Sequence, residues 1–294
     1  MKIWDVHVHF PLNWQQPDAD PSERLEPLAE ALQKAGVVRA SLLSGGRFGL
    51  THEEAIERLK PYAPLMVPVA VVDPETTSGD RIRELHALGY RGLKMIGVKR
   101  SYDDPDYFPV YAAAEELRMP ILLHMGVIGG GIDYSRTHPR RDAAAAQRLR
   151  MMRERMQSRM GPRDVSATRM HPFHLDTIAN NFPDLPLIGA HMGGTGNYDA
   201  AASVARWRHN VHFDLSGGET IEQHAVERGL IGREIGVEKL VWGSDCGIEE
   251  IQEHVDRFVE IFDDLQLTED QIDRIWYRNA AEMFGEETPQ FAEE

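Results

Sequence analysis

The sequence predicts an α/β fold: a (β/α)8 TIM barrel with a long loop and helix insertion after its fifth strand and a helix at its C-terminal end. Three observations carry that expectation. Short β-branched runs alternate with longer amphipathic stretches, the pattern of βαβ units feeding a parallel sheet. About eight such runs can be counted, the number that a closed barrel of this kind requires. Histidine and aspartate recur at the C-terminal ends of several runs, each followed by glycine or small polar residues, and that end of the barrel is where this fold carries its active sites.

In chain order the strand candidates are IWDVHVHF near the start, VVRASLLS from Val37, LMVPVAVVD from Leu65 and RGLKMIG from Arg91. They continue with PILLHMG from Pro120, PLIGAHMGG from Pro186, VHFDLS from Val211 and KLVWGSD from Lys239. Between them lie helix candidates. PSERLEPLAEALQKAG has a start signal at Pro21 and Ser22 and a stop at Gly36, and GDRIRELHALG stops at Gly89. The last segment, TEDQIDRIWYRNAAEMFG, opens with Thr268 and an acidic first turn, so a terminal helix packed on the barrel is expected. With no internal repeat, low-complexity tract or linker, residues 1–294 are read as a single domain. One connection breaks the regular spacing. Residues 126–168 are far longer than an ordinary strand-to-helix loop and are read as a lid over the active face. The run Gly129 to Gly131 would be its hinge, and an Ala- and Arg-rich helix candidate at 140–160 its body. The arginines of that helix read in the first place as a solvated face, and otherwise as local positive charge over the site.

Composition limits the partners. The chain has 294 residues and a formal net charge of −15, so its average surface repels nucleic acid and anionic membrane. A charged start, MKIWDVHVHF, and the lack of any long apolar run argue against a leader or a transmembrane helix and for a soluble, cytoplasmic protein. The single cysteine, Cys246, rules out an internal disulfide and a thiolate cluster, so any metal must be held by histidine and carboxylate. Cys246 itself reads as a small buried filler, because no positive group beside it would lower its thiol pKa.

His7 and His9 are two apart at the end of the first strand and so project to the same face. Two imidazoles can then meet one ion, although two strand histidines in a polar layer would give the same pattern. His124 ends the fifth strand, His191 the sixth and Asp245 the eighth, so four or five ligating groups would converge on one barrel mouth. Neutral imidazole and carboxylate suit zinc, manganese or iron, and a site that keeps open positions is of the catalytic type.

The motifs DVHVHF, ILLHMG, LIGAHMGG and VWGSD resemble the strand-end motifs of the amidohydrolase superfamily. The resemblance is in particular to the amidohydrolase-2 family, which includes aminocarboxymuconate-semialdehyde decarboxylase and related lyases, hydratases and hydrolases. It runs in order from Asp5 to Asp245 and through YRNAAEMFG into the terminal helix. It implies a (β/α)8 barrel with one divalent ion, zinc foremost with manganese or iron as alternatives. The ion would be held by His7, His9, His124 and Asp245, with His191 as the catalytic histidine that orients or activates water. GSDCG departs from the pattern, since many relatives place an aromatic residue and a proline after the aspartate.

Asp245 is read as a ligand that can also act catalytically, taking a proton from water and passing it to a leaving group. Lys94 stands where some superfamily members carry a carboxylated lysine between two metals; substrate contact, pairing with Asp245, or simple extension to solvent are the other readings. Asp5, two residues before His7, is read as facing the same way one layer deeper, where it would accept a hydrogen bond from a ligand imidazole or pair with an interior cation. Arg47, after the second strand, would hold an anionic substrate group or lie exposed on its loop. His171 and His174 read as capping or packing residues. The function expected is metal-dependent hydrolysis of an amide, ester or lactone in a small, possibly anionic molecule through metal-activated water. The alternative is non-oxidative decarboxylation of an unsaturated or aromatic carboxylate, and the outlying reading is a catalytically silent metal-binding protein. A homo-oligomer is compatible with all three.

Overall fold

Each of the eight runs contains a strand: β1 (Ile3–His9), β2 (Val37–Ser44), β3 (Met66–Val71), β4 (Gly92–Met95), β5 (Ile121–Leu123), β6 (Leu187–Gly189), β7 (Val211–Asp214) and β8 (Leu240–Val241). The computed structural model describes residues 1–11, 20–46, 50–128 and 164–286. The strands pair in chain order, every pair parallel. The seam between β8 and β1 is closed by backbone bonds from Val6 N–H to Trp242 O (3.0 Å) and from Asp245 N–H to His7 O (2.9 Å). The second of these ties the end of one candidate ligand strand to the other.

Helices fill the crossovers: α1 (Leu25–Lys34), α2 (His52–Leu59), α3 (Gly79–Leu88), α4 (Phe108–Glu116), α5 (Phe173–Asn181), α6 (Tyr198–Trp207), α7 (Glu219–Glu227) and α8 (Ile251–Asp264). Helix α1 buries Leu25, Leu28, Ala29 and Leu32, the stripe that a 3.6-residue period places on one face. Its lead-in is a 3-10 turn that begins at Pro21, as expected, and is capped by Asp20, whose carboxylate accepts the Ser22 N–H. The terminal segment opens as expected with a capping box between Thr268 and Gln271, but it is not one continuous α-helix. A π-helical turn, Arg274–Arg278, separates α9 (Glu269–Asp273) from α10 (Asn279–Met283). The wider turn lets three consecutive large residues, Ile275, Trp276 and Tyr277, all be buried.

One apolar cluster lies between strands and helices. A second, with Trp4, Val6, Leu43, Val69, Leu122, Ile188 and Val241 drawn from six strands, fills the barrel interior, and Tyr277, Ala280 and Met283 close it. Trp4 stacks on Phe284 with ring centroids 5.0 Å apart, which seals the end away from the strand C-termini. Most of the insertion, residues 129–163, lies outside the described residues, as do the glycine hinge, the arginine-rich helix candidate and Arg47. Among the described residues no helix is long and apolar enough to cross a membrane.

Candidate metal centre

His7 and His9 sit beyond an irregularity in β1, where the pairing register to β2 shifts between Asp5 and Val8. The shift leaves both histidines on the mouth side, with ring centroids 5.4 Å apart, but breaks the alternation that would have stacked Asp5 beneath His7. Asp5 is a correction to the sequence reading. It is fully buried, yet its Oδ1 accepts the backbone N–H groups of His7 (3.1 Å) and Ser244 (2.9 Å), not an imidazole. Asp5 thus pins β1 to β8 through the main chain. Burial pushes its pKa up to about 6, against the bonds from Ser244 and His7.

Asp245 follows β8 with φ 45°, and His191 follows β6 with φ 58° and ψ 41°, followed by Met192 at φ 51°. Non-glycine residues rarely take this left-handed conformation, and it is found where a side chain must be re-aimed at a site. Glycines make the turns possible. A Cβ on Gly194 would lie 2.8 Å from the Cα of Gly126, so the HMG and HMGG segments that carry His124 and His191 close directly on each other. A Cβ on Gly243 would lie 2.7 Å from that of His7, so only glycine lets β8 run this close to the first ligand strand.

The Nε2 of His9 lies 3.2 Å from Asp245 Oδ1, and the Nε2 of His7 lies 3.7 Å from the same oxygen. The other oxygen, Oδ2, is 3.7 Å from His191 Nε2. His7, His9 and Asp245 have donor atoms close enough to share one ion. His124 stands one step away: its Nδ1 is 3.2 Å from His191 Nε2 and its Nε2 is 3.3 Å from the Val127 carbonyl. Three of the four implied ligands therefore converge, and the fourth reaches them through His191.

Lys94 does not extend to solvent. It is fully buried on β4, with Nζ 3.2 Å from His7 Nε2, the nitrogen that an ion would need. His171 and His174 lie apart from the centre: His174 is held by Asp103 (2.9 Å) and the Thr168 carbonyl (2.8 Å), and His171 Nδ1 accepts the Phe173 N–H. Cys246 is partly buried, and burial pushes its thiol well above the usual range.

The protonation states suit metal binding, which requires neutral imidazole and ionised carboxylate. Burial, then the charge of Lys94, lowers His7 to about 4. Burial, then His191 and Lys94, holds His124 well below the usual histidine range. For Asp245 burial acts upward, but His7, His9 and His191 outweigh it and hold the carboxyl well below its ordinary value. Nitrogen and oxygen donors in these states fit a zinc-, manganese- or iron-type ion.

Two residues that the sequence reading passed over complete the cluster. Asp214 ends β7 and Ser216 follows it; both are buried beneath His7 and His191. The available signal was positional, an aspartate at a strand end within VHFDLS, in the same place as His124, His191 and Asp245 on their own strands.

An eight-stranded parallel barrel defines the TIM-barrel class, and the histidines and aspartates at its strand C-termini, the face where this fold carries active sites, could hold a metal. Within that class the chain belongs to the amidohydrolase family, whose amidohydrolase-2 model matches residues 4–285. Solved structures share the fold over almost their whole length. A TIM-barrel protein from Bordetella bronchiseptica is 18% identical with a TM-score of 0.66, covering 97% of this chain and 99% of that one. A probable 2-pyrone-4,6-dicarboxylic acid hydrolase from Acinetobacter baumannii, with citric acid bound, is 15% identical with a TM-score of 0.62, covering 97% and 100%. The 5-carboxyvanillate decarboxylase from Sphingomonas paucimobilis is 15% identical with a TM-score of 0.60, covering 97% and 99%. No curated protein matches the chain by sequence.

Proposed function

We propose that this chain is a metal-dependent hydrolase that cleaves an amide, ester or lactone bond in a small, carboxylate-bearing molecule. The observation that carries the reading is the two-sided setting of Asp245. One carboxylate oxygen lies against the ligand histidines His9 and His7, and the other lies 3.7 Å from His191. An ion held by His7, His9 and Asp245, with His124 completing the set, would supply Lewis acidity to a carbonyl and lower the pKa of water. Asp245 Oδ2 is placed to take a proton from the attacking water and to return it to the leaving nitrogen or oxygen as the carbon–heteroatom bond breaks. His191 Nε2, on the same side, can accept a hydrogen from that water and so orient it. The dicarboxylic acid in the name of the Acinetobacter hydrolase and its bound citric acid support an anionic substrate.

A second reading, non-oxidative decarboxylation of an unsaturated or aromatic carboxylate, draws support from 5-carboxyvanillate and 2,6-dihydroxybenzoate decarboxylases among the structures of this fold. Screening the zinc- or manganese-loaded protein against lactones, esters, amides and aromatic carboxylates separates the two. Ester or lactone hydrolysis consumes base in a pH-stat and amide hydrolysis frees an amine that is assayed directly, neither releases gas, and Asp245→Asn should abolish the reaction. Carbon dioxide release from a carboxylate, with no bond hydrolysed in any substrate, would replace the hydrolase reading with the second.

A further inference from the structure

Asp214 takes no part in the chemistry above, yet it is the most heavily bonded side chain beneath the site. Its Oδ2 lies 2.8 Å from His7 Nδ1. Its Oδ1 accepts the His191 backbone N–H (2.8 Å), the Ser216 backbone N–H (3.1 Å) and the Ser216 hydroxyl (2.6 Å). Ser216 Oγ, having given its only hydrogen to Asp214, can meet His191 Nδ1 at 2.9 Å only as an acceptor; it also lies 3.1 Å from His7 Nδ1. Three hydrogens on Oδ1 mark Asp214 as an ionised carboxylate, which can only accept, so the hydrogen between Oδ2 and His7 Nδ1 belongs to the imidazole. Proton positions follow from that network by elimination: His7 and His191 both carry their hydrogen on Nδ1.

We infer that Asp214 is a positioning residue which, directly and through Ser216, sets the tautomers of His7 and His191 together. It leaves the Nε2 of His7 as a lone pair for an ion and makes the Nε2 of His191 the nitrogen that exchanges a proton during turnover. The ligand histidine and the acid–base histidine thereby share one buried anchor. His7, His191 and Asp214 also lie close enough to hold an ion of their own, but in this network the Nδ1 atoms of His7 and His191 are donors to Asp214 and Ser216 and offer no lone pair to a cation there. The inference rests on the roles given above to His7 and His191, and its test is read without metal turnover or substrate.

The substitution Asp214→Asn makes the network specific. Three donors hold the amide oxygen at the Oδ1 position, which turns the amide NH2 toward His7 Nδ1 and drives the His7 hydrogen to Nε2, where Lys94 Nζ, 3.2 Å away, accepts it as a neutral amine. In the metal-free, full-length protein labelled with 15N-histidine, two-bond 15N–1H spectra of the wild type should show Nδ1–H for both His7 and His191. In Asp214→Asn, His7 should switch to Nε2–H, and Zn2+ affinity measured by chelator competition should fall about 10- to 100-fold. Ser216→Ala should leave the His7 tautomer and Zn2+ affinity unchanged while His191 loses its single tautomer. A wild-type spectrum with the His7 hydrogen on Nε2 overturns the inference, whether or not Asp214→Asn folds. So does a folded Asp214→Asn that binds Zn2+ as tightly as wild type. Wild-type protein with both Nδ1–H signals but no Zn2+ uptake would count against the metal reading and in favour of this one.

Discussion

His191 holds its place through a left-handed backbone, a backbone bond to Asp214 and a side-chain contact with Ser216, so its ring is held by buried groups while Nε2 faces Asp245 and His124. A histidine positioned in this way can move protons without holding the ion. His191→Asn is a fitting probe because asparagine tolerates the left-handed conformation. With a substrate found by the hydrolysis survey, kcat should fall by about 10²–10⁴-fold. Metal content should stay near that of wild type, whereas His124→Asn should lose metal. Loss of metal in His191→Asn would make that residue a ligand and favour a binuclear site. Of these groups, His7, His9, His124, His191 and Asp245 were legible because each stands in a short motif at a strand end. Asp214 stands at such an end too, but a lone aspartate before Leu-Ser gives no pairing signal; its meaning lies in a contact with a residue 207 positions away. Asp5 was misplaced for a local reason, since a register shift inside a strand is invisible to a two-residue alternation.

The strands themselves were legible down to two-residue β8, because flanking glycines, β-branched runs and helix stops agree on where each one falls. Spacing does not show how tightly neighbouring strands approach. Gly243 sets that distance where β8 passes His7, and Gly243→Ala would place a methyl group 2.7 Å from the His7 Cβ, with the backbone of both strands as the obstacle. Relief requires moving β1 and β8 apart, at about 1–3 kcal/mol of overpacking. The same displacement separates His7 from Asp245. Thermal unfolding with and without added Zn2+ should therefore show both a lower Tm and a smaller stabilisation by the ion. An alanine variant with wild-type Tm and wild-type metal response would mean that the seam has slack. The terminal π turn was not legible either, because a continuous amphipathic helix and one with a single widened turn differ by one residue of phase.

Across the whole barrel, function and stability meet in buried groups that must keep one charge state. His212 on β7, remote from the mouth, has a buried Nδ1 without a partner. Burial, reinforced by Lys239, lowers its pKa from 6.5 to about 3. The unfolded chain takes up that proton below pH 6.5 and the folded chain does not, so the stability due to neutral His212 is complete above that pH and declines as pH falls toward 3. At pH 5 the loss is at most about 2 kcal/mol. His212→Leu should accordingly show a smaller drop in urea midpoint between pH 7 and pH 5 than wild type, and an identical drop would remove His212 from the acid sensitivity. The central claim is that the barrel mouth holds a divalent ion on His7, His9 and Asp245, with His124 supporting the set. Elemental analysis of purified wild type and of a His7→Ala, His9→Ala double variant, each checked for fold by circular dichroism, tests it most directly. The account predicts about one ion per chain in wild type and none in a folded double variant; full metal occupancy in that variant would contradict it.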